Sequence, residues 1–155
     1  SVDNRRTAEV FGDIARLLEL RGDNAFTVRA YRLAAITIEE LSSDLGRMLE
    51  EGRDLTELPG IGKAIAKKIG EMVDTGGLQY YERLKAEFPE EMVELMRVPG
   101  MGPKTAGRLW KEHGITSVSA LHQALEDGTL STLPGLGRNT IANVRRALSS
   151  TGERA

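Results

Sequence analysis

Residues 58–69 read Leu-Pro-Gly-Ile-Gly-Lys-Ala-Ile-Ala-Lys-Lys-Ile, and the opening pattern of this stretch returns twice further along the chain. The later copies are Val-Pro-Gly-Met-Gly at 98–102 and Leu-Pro-Gly-Leu-Gly at 133–137. In every copy a helical pattern follows, with an apolar residue seven places beyond the second glycine: Ile69, Leu109 or Val144. The repeat predicts three hairpins, each joining two helices. We call residues 58–62, 98–102 and 133–137 hairpins 1, 2 and 3.

The composition of each hairpin predicts a site for an anion. Pro59 cannot continue a helix, and glycine permits backbone dihedrals and close approaches that a Cβ forbids. The next helix starts at once, so its unpaired N–H groups and the positive end of its dipole face out of the turn, where phosphate commonly binds. The apolar residue between the glycines, which is Ile61, Met101 or Leu136, is expected to point inward. A single copy would fit a plain helix connection equally well, but three copies followed by cations favour the DNA backbone as ligand.

The charge pattern supports a local basic surface on an acidic chain. The formal net charge is −2, from 21 Lys and Arg against 23 Asp and Glu. Phosphate responds to charges within about 8–10 Å, so distribution matters more than the sum. Cations follow each hairpin, namely Lys63, Lys67 and Lys68, then Lys104, Arg108 and Lys111, then Arg138, Arg145 and Arg146. We expect a basic strip with modest, salt-sensitive affinity for DNA.

Other features of the composition exclude several classes of protein. The chain has no cysteine, which excludes disulfides and cysteine-based metal sites and fits a reducing cytoplasm. No apolar run approaches the roughly 20 residues that a membrane span needs. His113 and His122 are isolated, so no metal site built from side chains is predicted. Trp110 is expected to pack in the core, although stacking on a base is an alternative.

The fold class predicted is all-α, because no segment alternates with a period of two. Helices are expected at about 5–20, 25–40, 45–51, 63–73, 78–87, 90–97, between hairpin 2 and His113, from Ser117 to Glu126, and at 139–148. The helix at 25–40 is predicted to be a core helix through Phe26, Tyr31, Leu33, Ala34, Ile36 and Ile38. A break at Phe88-Pro89 predicts a helical bundle domain at 1–88 with hairpin 1, and a second small helical domain at 89–150 with hairpins 2 and 3. Residues 151–155 are predicted to be a polar tail.

The order of these motifs resembles a known family. Asp23-Asn24-Ala25-Phe26, Arg29-Ala30-Tyr31-Arg32 and Ala34-Ala35, then hairpin 1, Thr75-Gly76 and hairpin 2, are similar to the N-terminal region of X-family DNA polymerases. Bacterial members are the most similar, because they also carry a third hairpin. The resemblance extends from about Asn4 to Leu148, and within the family it is to the 8-kDa lyase-like domain and the following DNA-binding subdomain of DNA polymerase beta.

The resemblance implies non-sequence-specific binding of gapped or damaged DNA through backbone phosphates, in base excision or gap-filling repair. The family's polymerase site lies in a palm with metal-binding carboxylates. This chain contains no Asp-x-Asp, so it is not expected to polymerise by itself. The implied partners are DNA and an absent palm domain, with no membrane, and the protein is expected to be a monomer in the bacterial nucleoid.

The resemblance also implies a catalytic site for 5′-deoxyribose-phosphate lyase chemistry. Lys68 aligns with the Schiff-base lysine of the lyase members, and Tyr31 matches a tyrosine of the lyase pocket. The position six places past the second glycine is Lys68, Arg108 or Asn143, so only hairpin 1 offers an amine there. The alternative is that Lys68 is one more phosphate-binding cation. Phe26, Thr27 and Tyr80 depart from the His and Lys residues that bind the 5′-phosphate in DNA polymerase beta, and Arg29 and Arg32 are candidates to replace them.

The predicted DNA contacts are therefore Gly60, Gly62, Lys63, Lys67, Gly100, Gly102, Lys104, Arg108, Gly135, Gly137, Arg138, Arg29 and Arg32. No cofactor is required. The family resemblance adds a weak monovalent cation, Na⁺ or K⁺, held by hairpin carbonyls of Leu58 with Ile61, Val98 with Met101, and Leu133 with Leu136. A rival hypothesis treats the small helical domains as surfaces that dock other proteins, with the acidic composition as its support.

Overall fold

A computed structural model describes the backbone of residues 3–154 and the side chains of residues 3–149. Within these residues every regular element is helical and no strand occurs, which confirms the all-α prediction. A 3₁₀ turn, Leu55–Glu57, precedes the fourth helix. The helices are α1 Asn4–Arg21, α2 Ala25–Glu40, α3 Leu45–Glu50, α4 Lys63–Thr75, α5 Gln79–Lys85, α6 Met92–Arg97, α7 Pro103–His113, α8 Val118–Glu126 and α9 Arg138–Arg154.

Local capping interactions set the helix ends. Gly22 ends α1 in the left-handed region with φ 91°, and the Asp23 N–H donates to Leu18 O at 2.9 Å. Asn24 then begins α2 by accepting the Phe26 N–H at 2.7 Å. Ser117 caps α8 in the same way through the Ala120 N–H. The bounds of α1, α2 and α8 therefore follow closely from the sequence.

The last helix is longer than predicted. The sequence pattern indicated a helix from Asn139 to Leu148 and a polar tail at 151–155, whereas α9 begins at Arg138 and continues to Arg154. No proline follows Leu148, so nothing removes a backbone donor and stops the helix there. Ala155 lies outside the described residues.

Contacts divide the chain into two compact units, the first ending at Leu84 and the second beginning at Lys85. The predicted break at Phe88-Pro89 lies slightly further along, in the segment that joins α5 to α6. The predicted domain limits, 1–88 and 89–150, stay a prediction. The first unit contains hairpin 1, and the second contains hairpins 2 and 3.

In the first unit α1 packs along α2 and also contacts α4. Phe11 and Ile14 of α1, Ile38 of α2 and Ile69 of α4 are fully buried. The prediction that all the apolar residues of α2 lie in the core is wrong, because Phe26, Leu33 and Ile36 are exposed. Only one stripe of a helix can face its partner, and in α2 this stripe carries Val28, Tyr31, Ala34 and Ile38.

A buried ionisable group joins α5 to α1. The Tyr81 hydroxyl donates to Asp13 Oδ2 at 2.6 Å, and Arg16 lies 3.2 Å from Asp13 Oδ1. Asp13 is only 1% exposed, and a buried carboxylate is tolerated when donors satisfy it. The contact holds α5 against a helix that is distant in sequence.

The second unit is built around one residue from each of its helices. Leu95 of α6, Leu109 of α7, Leu121 of α8 and Val144 of α9 have no exposed surface. Leu109 and Val144, like Ile69 in the first unit, are the residues seven places past the second glycine of a hairpin. Each hairpin is therefore anchored by the buried helix that follows it.

Replacing Tyr81 with Phe tests the buried contact with Asp13. We expect Tyr81→Phe to lower the free energy of unfolding by about 1–3 kcal/mol, because a buried carboxylate loses a donor. Urea denaturation followed by circular dichroism measures the change. Tyr80→Phe is the matched control, since Tyr80 is the half-exposed neighbour and should cost less. Equal effects of the two substitutions would contradict this explanation.

Candidate nucleic-acid interface

The three hairpins share one turn geometry. The N–H of the fourth residue donates to the carbonyl of the first at 3.1 Å in hairpin 1, 2.9 Å in hairpin 2 and 3.0 Å in hairpin 3. Proline stands second, and glycine stands third with positive φ, which is 74° at Gly60 and 89° at both Gly100 and Gly135. This is the arrangement of a type II turn. The repeated sequence therefore folds into a repeated structure.

The second glycine of each hairpin opens the following helix. Gly62 and Gly102 are the N-caps of α4 and α7, and neither helix start receives a hydrogen bond from a capping side chain. The first N–H groups of α4 thus have no side-chain acceptor. The same holds for those of α7, which start at Lys104 because Pro103 has no N–H. Such groups, together with the helix dipole, form a site that suits an anion.

The residue between the glycines anchors the turn. Ile61 and Met101 are each 4% exposed, and Leu136 is half-buried. The predicted inward direction is therefore complete in hairpins 1 and 2 and partial in hairpin 3. The glycines on either side of it are exposed, except for Gly102, which is half-buried.

Hairpins 2 and 3 pack against each other's helices in a reciprocal way. A Cβ at Gly100 would collide with Thr140 Oγ1 of α9, and a Cβ at Gly135 would collide with Thr105 Oγ1 of α7. Each threonine is the third residue past the second glycine of its own hairpin. The two halves of the second unit are thus related by an approximate two-fold relation, which places hairpins 2 and 3 side by side.

Hairpin 1 has a different partner. A Cβ at Gly60 would lie only 2.7 Å from Leu33 Cδ2 of α2. The next turn of α2 supplies Thr37, whose hydroxyl donates to Pro59 O at 2.8 Å. Asn143 of α9 makes the corresponding bond in hairpin 2, from Nδ2 to Pro99 O at 2.8 Å. No local sequence pattern predicts either bond, because both donors lie far along the chain from the turns they reach.

The predicted DNA-binding cations are mostly available for a ligand. Lys63, Lys67, Lys104 and Arg138 are exposed and make no ion pair within the described residues, whereas Arg108 lies 3.6 Å from Glu112. One carboxylate lies near hairpin 1. The pKa of Asp54 is lowered chiefly by the hydrogen bond from the Thr56 hydroxyl, and the nearby charge of Lys63 contributes.

Lys68 and Tyr31, the predicted catalytic residues, are linked through a third side chain. The rings of Phe11 and Tyr31 stack at 5.9 Å, as do those of Tyr31 and Tyr80. Lys68 Nζ lies 4.9 Å from the centre of the Tyr80 ring. Burial raises the pKa of both Tyr31 and Tyr80, so both hydroxyls stay protonated at neutral pH. Tyr80, which the sequence showed only as a departure from the family, thus belongs to this cluster.

Arg29 and Arg32 lie elsewhere on α2. They line a small pocket of about 160 Å³ together with Glu19 and Asp23, and neither Lys68 nor Tyr31 lines it. Arg32 is paired with Glu19 at 3.1 Å. The carboxylates reduce the positive potential of this pocket, so the two arginines are placed less favourably for phosphate than the hairpin cations.

Trp110, the candidate for stacking on a base, packs against neighbouring side chains. Trp110 meets the edge of Phe88 at 5.9 Å, and Lys111 Nζ lies 4.1 Å above its ring. These contacts favour the core interpretation over base stacking.

No group of three or more His, Cys, Asp or Glu side chains that could hold a metal occurs in the described part of the chain. None of its described helices is long and apolar enough to span a membrane.

Alanine substitutions in hairpin 2 separate the two glycines. Gly100→Ala should lower the free energy of unfolding by about 1–3 kcal/mol, because it combines a left-handed backbone with a collision at Thr140. Gly102→Ala is the matched control, since Gly102 has φ −92° and no atom within 4 Å of an added Cβ. Thermal unfolding of both variants measures the difference. A Gly102→Ala variant as unstable as Gly100→Ala would refute the close-approach explanation.

Comparison with known proteins agrees with this architecture. A helix-hairpin-helix domain model matches residues 2–78, and a SAM-like helix-hairpin-helix tandem model matches residues 92–150. The chain is 36% identical over 140 residues to the DNA polymerase/3′-5′ exonuclease PolX of Bacillus subtilis (strain 168), covering 90% of this chain and 24% of that protein. It is 30% identical over 125 residues to DNA polymerase lambda of Arabidopsis thaliana, covering 80% of this chain and 21% of the relative. The chain therefore belongs to the helix-hairpin-helix proteins and is related to the N-terminal region of the X-family DNA polymerases.

Proposed function

We propose that this chain binds gapped or damaged DNA through backbone phosphates, without reading base sequence, as the N-terminal part of an X-family repair polymerase. The observation that carries the proposal is the threefold repeat of a glycine turn followed by a helix and exposed cations. The relatives' names state polymerase and exonuclease activities, and the chain spans 24% or less of their lengths. In such a polymerase, polymerisation would belong to a palm domain, and the present chain would contribute DNA binding.

Each hairpin offers two kinds of attraction to a phosphate. The first helical N–H groups are directional donors, and their strength grows when the acceptor is charged. Exposed cations such as Lys63, Lys104 and Arg138 add a screened Coulomb term that releases counterions from DNA. Contacts to phosphates fix position but carry no sequence information, so binding through hairpins is expected to be non-specific.

A monovalent cation fits the same turns and is part of the proposal. The carbonyls of Leu58, Val98 and Leu133 each accept one turn hydrogen bond, which leaves a second lone pair on each oxygen. Together with the carbonyls of Ile61, Met101 and Leu136, they would hold Na⁺ or K⁺ beside the phosphate. The ion would place positive charge between the carbonyl oxygens of the hairpin and the oxygens of the phosphate.

The location and assembly of the protein follow from this role. As a DNA-binding part of a repair polymerase, it would act as a monomer on the bacterial nucleoid in the cytoplasm. No second chain is needed, because each hairpin is completed by helices of its own unit.

Binding to matched DNA substrates tests the proposal. We expect tighter binding to a duplex with a one-nucleotide gap than to the intact duplex of the same sequence, measured by fluorescence anisotropy. A gap with and without a 5′-phosphate should be compared, since Phe26, Thr27 and Tyr80 replace the family's phosphate-binding residues. Equal affinity for gapped and intact DNA would count against a role at gaps.

Charge reversal controls this experiment and separates DNA binding from protein docking. The substitutions Lys63→Glu, Lys104→Glu and Arg138→Glu should weaken DNA binding. They should also reduce the slope of log affinity against log salt by about one per lost contact. Reversal of Arg47 and Arg53, exposed and outside the hairpins, is the matched control. One observation favours the docking hypothesis, namely that Phe26, Leu33 and Ile36 of α2 are exposed. This hypothesis predicts that the hairpin reversals change neither the DNA affinity nor its salt slope.

A second candidate function, lyase chemistry at Lys68, is favoured by the Tyr31–Tyr80–Lys68 cluster. The unprotonated amine would attack the C1′ aldehyde of an opened abasic sugar and lose water to give an imine. Removal of a C2′ proton then expels the phosphate oxygen from C3′ by β-elimination, and hydrolysis frees the lysine. The protonated tyrosine hydroxyls beside the amine are donors for the sugar oxygens.

Borohydride trapping on DNA with an abasic site tests this chemistry. We expect a covalent protein–DNA adduct with the wild type and its loss in Lys68→Ala, because reduction captures only an imine. Lys67→Ala is the matched control, since Lys67 is the exposed neighbour on α4. Undiminished trapping by Lys68→Ala would exclude Lys68 as the nucleophile and leave it as a phosphate contact.

A further inference from the structure

We infer that Thr37 and Asn143 are positioning residues, each of which aims the N–H of a hairpin's first glycine at the bound phosphate. The inference rests on the proposed function and deepens it for hairpins 1 and 2. Both side chains are neutral, and both belong to helices that lie outside the turns they contact.

Each neighbouring helix fixes the proline–glycine peptide at two points. On α2, Leu33 packs against the Gly60 Cα, and Thr37 Oγ1 donates to Pro59 O at 2.8 Å. On α9, Thr140 packs against Gly100, and Asn143 Nδ2 donates to Pro99 O at 2.8 Å. Residues three or four places apart lie on one face of a helix, so a single helix face supplies both contacts.

The direction of the glycine N–H follows from the geometry of the peptide. In a planar trans peptide the C=O and N–H bonds point in opposite directions. Because Pro59 O is drawn toward α2, the Gly60 N–H points away from that helix. Gly60 and Gly100 donate to no acceptor in the described part of the chain. Both N–H groups are thus turned outward and ready for a ligand.

Without such a bond the peptide could turn over. Type I and type II turns differ by rotation of the peptide between the second and third residues. Glycine permits either form, so its presence does not select one. In the rotated form the carbonyl of Pro59 or Pro99 would face outward and repel a phosphate. The bonds from Thr37 and Asn143 therefore stabilise the receptive form in hairpins 1 and 2, a form that hairpin 3 adopts without such a bond.

Hairpin 3 lacks this device. Thr105 of α7 packs against Gly135, but the residue in the register of Asn143 is Arg108, which lies 3.6 Å from Glu112. No side chain in the described residues donates to Pro134 O. Hairpins 1 and 2 thus have a glycine N–H that a neighbouring helix orients, whereas hairpin 3 has the cation Arg108 at the equivalent helix position.

Thr37→Val tests the inference, because valine keeps the shape of threonine and removes only the donor. We expect the affinity for gapped DNA to fall about three- to tenfold. The salt slope should stay at the wild-type value, since no cation is lost. Thr37→Ser, which keeps the hydroxyl, should restore most of the affinity. Wild-type affinity in Thr37→Val, or an equal loss in Thr37→Ser, would overturn the inference.

Asn143 of α9 and Arg108 of α7 occupy equivalent helix positions, so substitutions of these two residues give an independent comparison. Asn143→Leu should lower affinity with an unchanged salt slope, whereas Arg108→Leu should lower the slope as well. A reduced slope in Asn143→Leu would overturn the positioning role.

A measurement on the free protein separates failure of this inference from failure of the proposed function. NMR relaxation dispersion reports peptide exchange on the microsecond-to-millisecond scale. The Gly60 amide should show new exchange in Thr37→Val and none in the wild type or in Thr37→Ser. If the wild type bound no DNA, the proposed function would fail. A Gly60 amide unchanged in Thr37→Val would overturn the inference whatever the DNA result.

Discussion

The approach of a bare glycine Cα to a neighbouring helix is the contact on which each hairpin depends. Gly60 lies against Leu33, Gly100 against Thr140, and Gly135 against Thr105. Each of these glycines has positive φ and no room for a Cβ, so local turn geometry and tertiary packing impose the same residue. The contact holds the turn at the start of the helix whose N-terminus is proposed to bind an anion. The glycine is thus required by the fold before any ligand binds.

The electrostatics of the chain suit such a site in spite of a net charge of −2. Two arginines away from the hairpins are paired with carboxylates, Arg21 with Asp23 and Arg32 with Glu19. Lys63, Lys67, Lys104 and Arg138, which follow the glycine turns, are exposed and make no ion pair in the described residues. Arg108 and Arg145 are instead paired with Glu112 and Glu126. A chain that is acidic overall can therefore present positive potential where the helix N–H groups also point.

In the first unit the proposed phosphate site and the proposed nucleophile lie on the same helix. Lys63 opens α4 at the hairpin, and Lys68 lies further along α4 over the Tyr80 ring. An aromatic face attracts a cation and excludes water from one side of it. Tyr31 and Tyr80 belong to a ring stack that begins in the core at Phe11, and Lys68 lies over the last ring of this stack. Lys68 is thereby half-buried against this stack, whereas the neighbouring Lys67 is exposed.

Local signals in the sequence determined the helix starts, the hairpins and the all-α class. Proline, glycine and capping residues act within a few positions of themselves, which is why α2 and α8 begin where the sequence indicates. The buried residues Ile69, Leu109 and Val144 were predictable for the same reason, since helical periodicity places them relative to the turn. Long-range contacts decided the rest of the site. Asp13 meets Tyr81, Thr37 meets Pro59 and Asn143 meets Pro99 across wide separations in sequence, and Tyr80 joins Lys68 only after α4 and α5 have packed. No local pattern encodes such meetings, because they depend on which helix faces pack together and on the direction in which each side chain leaves its helix.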